Sequence, residues 1–136
     1  MGLAAYKKTI RESESPRQIE RRILSRVTHE LQTYVADFDK SESRFERQKI
    51  LAGGLRDTLV ENQRIWAALR SDLAEPGNTI PDSLKASLIS IAMWIDRQCS
   101  AVIAGEGGLA GLVEINSNIV AGLAGRGATE MAHEGV

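Results

Sequence analysis

Cys99 is the one thiol in this chain of 136 residues, and His29 and His133 are its two imidazoles. A nucleophilic cysteine needs a base and an orienting partner, and no His/Asn set accompanies Cys99. It falls instead on an apolar helical stripe, so the expectation is a buried, inert thiol in a reducing compartment. No CxxC, HExxH, GxxxxGK[ST] or GxSxG run occurs, and metal, nucleotide and covalent catalysis each lack their minimum parts. The Gly105–Gly108 run, GEGG, follows a helical pattern rather than the strand a phosphate loop needs. No enzyme, cofactor or metal is expected.

What remains is chemistry of recognition. Asn62 and Asn116 sit at core positions of otherwise apolar stripes. A buried amide needs partners for its donors and its acceptor. Either each asparagine bonds a neighbouring helix and fixes register, as a lone polar residue does in a coiled coil, or both line a groove and bond a bound peptide. Trp66 and Trp94 are the large anchors, suited to a core or to a binding hot spot. Ile89 and Met93 lie off the main stripe of their helix, and methionine suits adaptable helix-binding surfaces; another helix of this chain or a partner must cover them. Arg17, Arg21, Arg22 and Arg26 form a basic cluster with Lys7, Lys8 and Arg11 upstream. They could meet RNA phosphates, but Glu14, Glu20 and Glu30 are interspersed and no aromatic side chains interleave. A solvated face of ion pairs fits better, and RNA is an unlikely partner.

The elements that position these residues are helices. Leu84, Leu88, Ile91, Ala92, Ile95, Cys99 and Val102 give Pro81–Ile103 a wide apolar stripe, with Trp94 on one flank and Ile89 and Met93 roughly opposite. A helix apolar on more than one side is expected to be surrounded by others, which makes this stretch the expected centre of the fold. It is too short and too charged to span a bilayer. Ser15-Pro16-Arg17-Gln18 is a start signal with a capping box. After it, Ile19, Ile23, Val27, Leu31, Tyr34 or Val35, and Phe38 recur at spacings of three and four. Asp39 or Ser41 could cap a second helix, although no Gly or Pro occurs between Arg17 and Ala52 and one continuous helix is equally consistent. Gly53-Gly54 marks a break or a close backbone approach. Beyond it Leu55, Leu59, Asn62, Trp66, Leu69 and Leu73 share a face until Glu75-Pro76-Gly77-Asn78 turns the chain. Leu112, Asn116, Ile119 and Leu123 mark a last short helix, which Gly125-Arg126-Gly127 is expected to stop. The expected fold is all-α: a compact bundle of about four helices, one domain over residues 1–123, with an N-terminal arm and a disordered tail over 124–136.

Hydrophobic residues make up 43% and charged residues 26% of the chain, at a net charge of −1. Those values describe an ordinary globular domain with no general attraction to nucleic acid or anionic membrane. The opening MGLAAYKKTI lacks the apolar core of a secretory signal, and Tyr6 stands where a myristoylation signal needs Ser or Thr. A cytoplasmic location is expected.

Five stretches, taken in order, resemble the bacterial flagellar biosynthesis protein FlaF family: AYKKT at Ala5–Thr9, ESPRQIERRILSRVT at Glu14–Thr28, GLRDTLVENQRIWAALRSDLA at Gly54–Ala74, N-x-x-P-x-x-L from Asn78 to Leu84 continuing into SIAMWID at Ser90–Asp96, and LVEINSNIVAGL at Leu112–Leu123. None is a site motif by itself; their order and spacing carry the likeness, which covers about Ala5 to Leu123. The resemblance implies a non-enzymatic role in flagellin production, in opposition to FlbT, a repressor of flagellin translation. It suggests a secretion chaperone that binds a helical terminal segment of flagellin, with a post-transcriptional role through FlbT or flagellin mRNA as the alternative. A monomer or a homodimer would serve. The contact residues expected for a partner are Ile89, Met93, Trp94, Trp66, Asn62 and Asn116.

Overall fold

The computed structural model describes the backbone of residues 16–134 and the side chains of residues 18–122. The expected N-terminal arm and Ser15 lie outside the described residues. Pro16 begins α1 (Pro16–Lys40), where its missing N–H is no loss and its fixed φ suits the helix. α1 buries Leu24, Val27, Leu31 and Phe38. The expected line ran through Ile23, which is 36% exposed. Ile23 and Leu24 are adjacent apolar positions 100° apart, and a helix with neighbours on two sides buries the one that points between them.

The chain leaves the helix at residues 41–43, so α1 does not continue into the next element. Ser43, not Asp39 or Ser41, caps α2 (Arg44–Ile50), its hydroxyl accepting from the Glu46 N–H at 3.3 Å. α2 then runs through a π-type turn, Leu51–Leu55, into α3 (Arg56–Ala74). Gly54 inside that turn has φ 140°, and a β-carbon there would lie 2.5 Å from the Tyr34 hydroxyl oxygen. The glycine pair therefore serves both readings: it bends the path and lets α1 approach.

After the turn at 75–81, α4 (Asp82–Ile103) starts behind Pro81. It ends in a Schellman motif: Glu106 N–H donates to the Ala101 carbonyl at 2.9 Å and Gly105 N–H to that of Val102 at 2.8 Å, with Gly105 at φ 86°. Glycine is favoured there because the cap needs a left-handed residue. α5 (Ala110–Glu134) follows. Its first free amides, Leu109 N–H and Ala110 N–H, donate to Oδ1 and Oδ2 of Asp39 at 2.7 and 2.9 Å. A carboxylate from the end of α1 thus fills the anion position at this helix N-terminus, and the Gly-rich run beside it is a connector. Arg47 ties the same end together, donating to the carbonyls of Ser41 and Gly105. α5 stays helical past Gly125 and Gly127, so the expected stop is not where it ends. The expected tail, 124–136, falls on residues whose side chains lie outside those described.

Cross-helix contacts fix the topology. Arg26 meets Glu61 and Tyr34 meets Gly54, so α1 and α3 are antiparallel. The short turn at 75–81 joins the end of α3 to the start of α4 and Asn62 meets Cys99 further along, so these two are antiparallel as well. Thr28, His29 and Gln32 line one cleft with Val113, Ser117 and Val120 of α5. The four long helices make an all-α up-and-down bundle with no strand among the described residues. α1 packs most extensively on α5, α3 on α4, and α1 on α3; α4 and α5 make the thinnest neighbouring contact. The expectation that α4 is the surrounded centre is therefore corrected. Its second half is buried through Ala92, Ile95, Cys99 and Val102, while Leu84 in its first turn is 36% and Met93 46% exposed. The inner pair of the arrangement is α1 and α3, because each carries a neighbour on both sides. Among the described residues no helix is long and apolar enough to cross a membrane.

Candidate functional site

The core holds a polar chain that joins three helices. Trp66 Nε1–H on α3 donates to Asn116 Oδ1 on α5 at 2.9 Å. Asn116 Nδ2–H returns to Asn62 Oδ1 on α3 at 2.8 Å, and Asn62 Nδ2–H reaches Cys99 Sγ on α4 at 3.4 Å. Both asparagines are fully buried and Trp66 almost so. Among the described residues no buried side-chain nitrogen or oxygen lacks a partner. Three of the six expected contact residues, Trp66, Asn62 and Asn116, thus spend their hydrogen bonds inside the fold and fix how α3, α4 and α5 register. They are not on a surface.

Burial pushes the Cys99 thiol up from 9.0 to about 11; the Asn62 amide opposes the shift and the Asp96 carboxylate adds to it. The thiol is therefore neutral at physiological pH, as expected from the sequence. Because the folded value is the higher one, its contribution to stability is complete below pH 9 and is lost as pH rises toward 11. The expected loss is at most about 3 kcal/mol. Urea unfolding between pH 8 and 11 should show that loss in the parent protein and not in Cys99→Ala; parallel curves would contradict it.

The other three expected residues divide between two flanks of α4. Gln63 of α3 donates to the Asp96 carbonyl and carboxylate and to Ser100 Oγ, at 3.2, 3.3 and 3.1 Å. Met93 and Ile89 are one and two turns before Asp96 on that flank, over the outer edge of α3. Trp94 faces the other way: its ring is the nearest neighbour, at 3.7 Å, of a β-carbon built on Gly111 of α5. Adjacent in sequence, Met93 and Trp94 do not form one site.

Trp94 instead marks the open side of the bundle. About one, two and three turns back along α4 come Ile91, Leu88 and Leu84; one and two turns on from Gly111 come Ile115 and Ile119. All but the exposed Leu84 are half-buried, and Ile91, Trp94, Ile115 and Ile119 pack at the margin of the core. α4 and α5 make little contact with each other, and these half-buried side chains form an apolar seam along the two helices. Ile91, Leu88, Leu84, Ile115 and Ile119 were not expected as contacts. The signal was present, since the α4 stripe was read from the sequence, but periodicity does not say which part of a stripe its neighbours leave open.

The basic cluster is spread along α1. Arg26 is ion-paired with Glu30 at 3.0 Å and closely with Glu61 of α3, which raises its pKa further, chiefly through the Glu61 hydrogen bond. Arg21 and Arg22 are exposed, and the Arg17 side chain lies outside the described residues. Charge matched by carboxylates on the same surface offers phosphates little net field. Among the described residues no group of three or more His, Cys, Asp and Glu could hold a metal ion.

A family model described as flagellar protein FlaF matches residues 3–123, a span that takes in α1 to α4 and the first half of α5. No curated protein and no solved structure matches the chain.

Proposed function

The chain belongs to the FlaF family of flagellar proteins, and from that membership we propose that it binds flagellin in the cytoplasm as a secretion chaperone, holding one helical terminal segment along the apolar seam between α4 and α5. What supports the reading is the thin contact between α4 and α5, beside which apolar side chains of both helices are only half-buried. A third, amphipathic helix laid along that seam would bury its face on those side chains through anchors at i, i+3, i+4 and i+7. Flagellin's terminal segments have such faces and need them shielded before export. Trp94 is the central anchor, being a large, half-buried aromatic on that seam, and aromatic anchors dominate such interfaces.

Titration calorimetry against full-length flagellin, and against flagellin lacking each helical end, tests this. Binding at one to one, abolished by one truncation, is the expected result. Trp94→Ala should weaken it about thirtyfold, equivalent to about 2 kcal/mol, with the unfolding midpoint recorded to show the variant still folds. Absence of binding to any flagellin form would remove the chaperone reading and make FlbT the direct partner, with flagellin synthesis affected downstream.

A further inference from the structure

α2 buries none of its seven residues. Its Phe45 is 70% exposed, more than any other large apolar side chain among the described residues. Lys49, one turn on, holds its Nζ 5.8 Å from the centre of that ring, a cation–π contact that leaves most of the phenyl surface in water. Further along the same exposed face come Ala52, Gly53 and Arg56. A β-carbon built on Gly53 would have nothing within 4 Å. Gly54 carries both the positive φ and the close approach to Tyr34, and Gly53 carries neither. Glycine is a poor helix former, and nothing inside the chain asks for one at 53. The result is an exposed ring and, two turns away, an exposed place with no side chain.

The charges around this face are balanced and ordered. Glu42, Arg44 and Glu46 flank Phe45, and Lys49, Arg56 and Asp57 follow, all exposed; Arg47 is turned inward onto the carbonyls of Ser41 and Gly105. Three bases against three acids attract neither a polyanion nor a polycation. Laid on a second copy of itself in the same direction, the face sets like charge on like. Laid antiparallel, with residue 45 opposite 53, it sets Glu42 opposite Arg56 and brings Arg44 within a turn of Asp57. The two Lys49 ammonium groups then meet at the axis, where the Glu46 carboxylate one turn away on each copy offsets them.

We propose that two copies of this chain pair about a two-fold axis near Lys49 through the exposed face from Glu42 to Arg56. Phe45 of each copy seats on Ala52 and Gly53 of the other, and the Glu42–Arg56 pair forms twice, as an isologous contact requires. From Phe45 to Arg56 the strip is about 17 Å long, too short to bury the roughly 800 Å² per partner of a standard stable interface. The dimer is therefore weak and reversible, with a dissociation constant on the order of 100 μM. Trp94 and the seam between α4 and α5 take no part, so the pairing does not rest on the proposed function.

Sedimentation velocity of the full-length protein over a concentration series tests this. The parent should move from its 14.8 kDa monomer toward twice that mass as concentration rises. Phe45→Ser, and separately Gly53→Leu, should weaken the association about tenfold. Glu42→Lys and Arg56→Glu should each do the same alone, since each sets like charges opposite one another twice. An equimolar mixture of those two variants should associate as well as the parent, because every crossed pair is again of opposite sign. All four changes are at exposed positions, and an unchanged unfolding midpoint or better confirms the fold. A parent that stays monomeric throughout would overturn the proposal. So would a dimer indifferent to Phe45→Ser, which would use another face, or a mixture no stronger than its two components, which would exclude the antiparallel pairing.

Discussion

Asn116→Ala is expected to lower the unfolding free energy by about 4 kcal/mol, a large share of what a domain of this size has. The truncation removes the acceptor of the Trp66 indole N–H and the donor to the Asn62 carbonyl oxygen. Each orphaned group is sealed from water and costs about 1–3 kcal/mol, and the missing amide leaves a small void besides. The double variant Asn62→Ala, Asn116→Ala should cost clearly less than the sum of the two single changes, because the bond between the two amides is lost only once. Urea titrations of the parent, both singles and the double measure this directly. A single change costing under about 1 kcal/mol would mean that water replaces the chain of bonds, and that the register of α3, α4 and α5 rests on apolar packing alone.

Gly54→Ala should be nearly as damaging, at about 3 kcal/mol, for a different reason. An L-residue at φ 140° is strained whatever its surroundings, at about 1–3 kcal/mol, and the new methyl would stand 2.5 Å from the Tyr34 oxygen. The two parts separate experimentally. In a Tyr34→Phe background the offending oxygen is gone and the next ring atom is at 3.6 Å, ordinary contact. Tyr34→Phe should therefore recover the steric part, about 1 kcal/mol, and leave the backbone part. Thermal or urea unfolding in which Gly54→Ala matches the parent would show the π-turn relaxing to an ordinary helix. Complete recovery by Tyr34→Phe would show that the dihedral carries no strain.

The helices themselves were readable because each has a chemical start, a chemical stop or an uninterrupted face. Leu55, Leu59, Asn62, Trp66 and Leu73 are buried as their spacing requires, with Leu69 half-buried. Pro81 and the glycines after Ile103 bracket α4. The buried asparagines were readable as anomalies on apolar stripes; that they find each other, with Trp66 and Cys99, depends on three helices meeting and is carried by no local pattern. The same limit explains the misplaced centre. The α4 stripe is real, but a stripe reports only that something apolar must be covered, and here its first turn, at Leu84, is left exposed. Ile23 was read as core for a related reason, since period alone cannot choose between adjacent apolar residues. The break at 41–43 has no Gly or Pro, and three polar residues suffice because Ser43 offers the next helix a cap while Asp39 is drawn away to α5.

That use of Asp39 bears on how the protein is made. The carboxylate leaves the ribosome 70 residues ahead of the first amide it will cap. During that interval α1, α3 and α4 can pair in the order they emerge, but the side of α1 that receives α5 stays bare, and Leu24, Val27 and Leu31 lack one wall of their core. α5, made after the helices it packs on, therefore closes the bundle. A chain interrupted before Leu109 keeps an unsatisfied apolar face and an uncapped order of assembly, the kind of nascent species that associates with its neighbours.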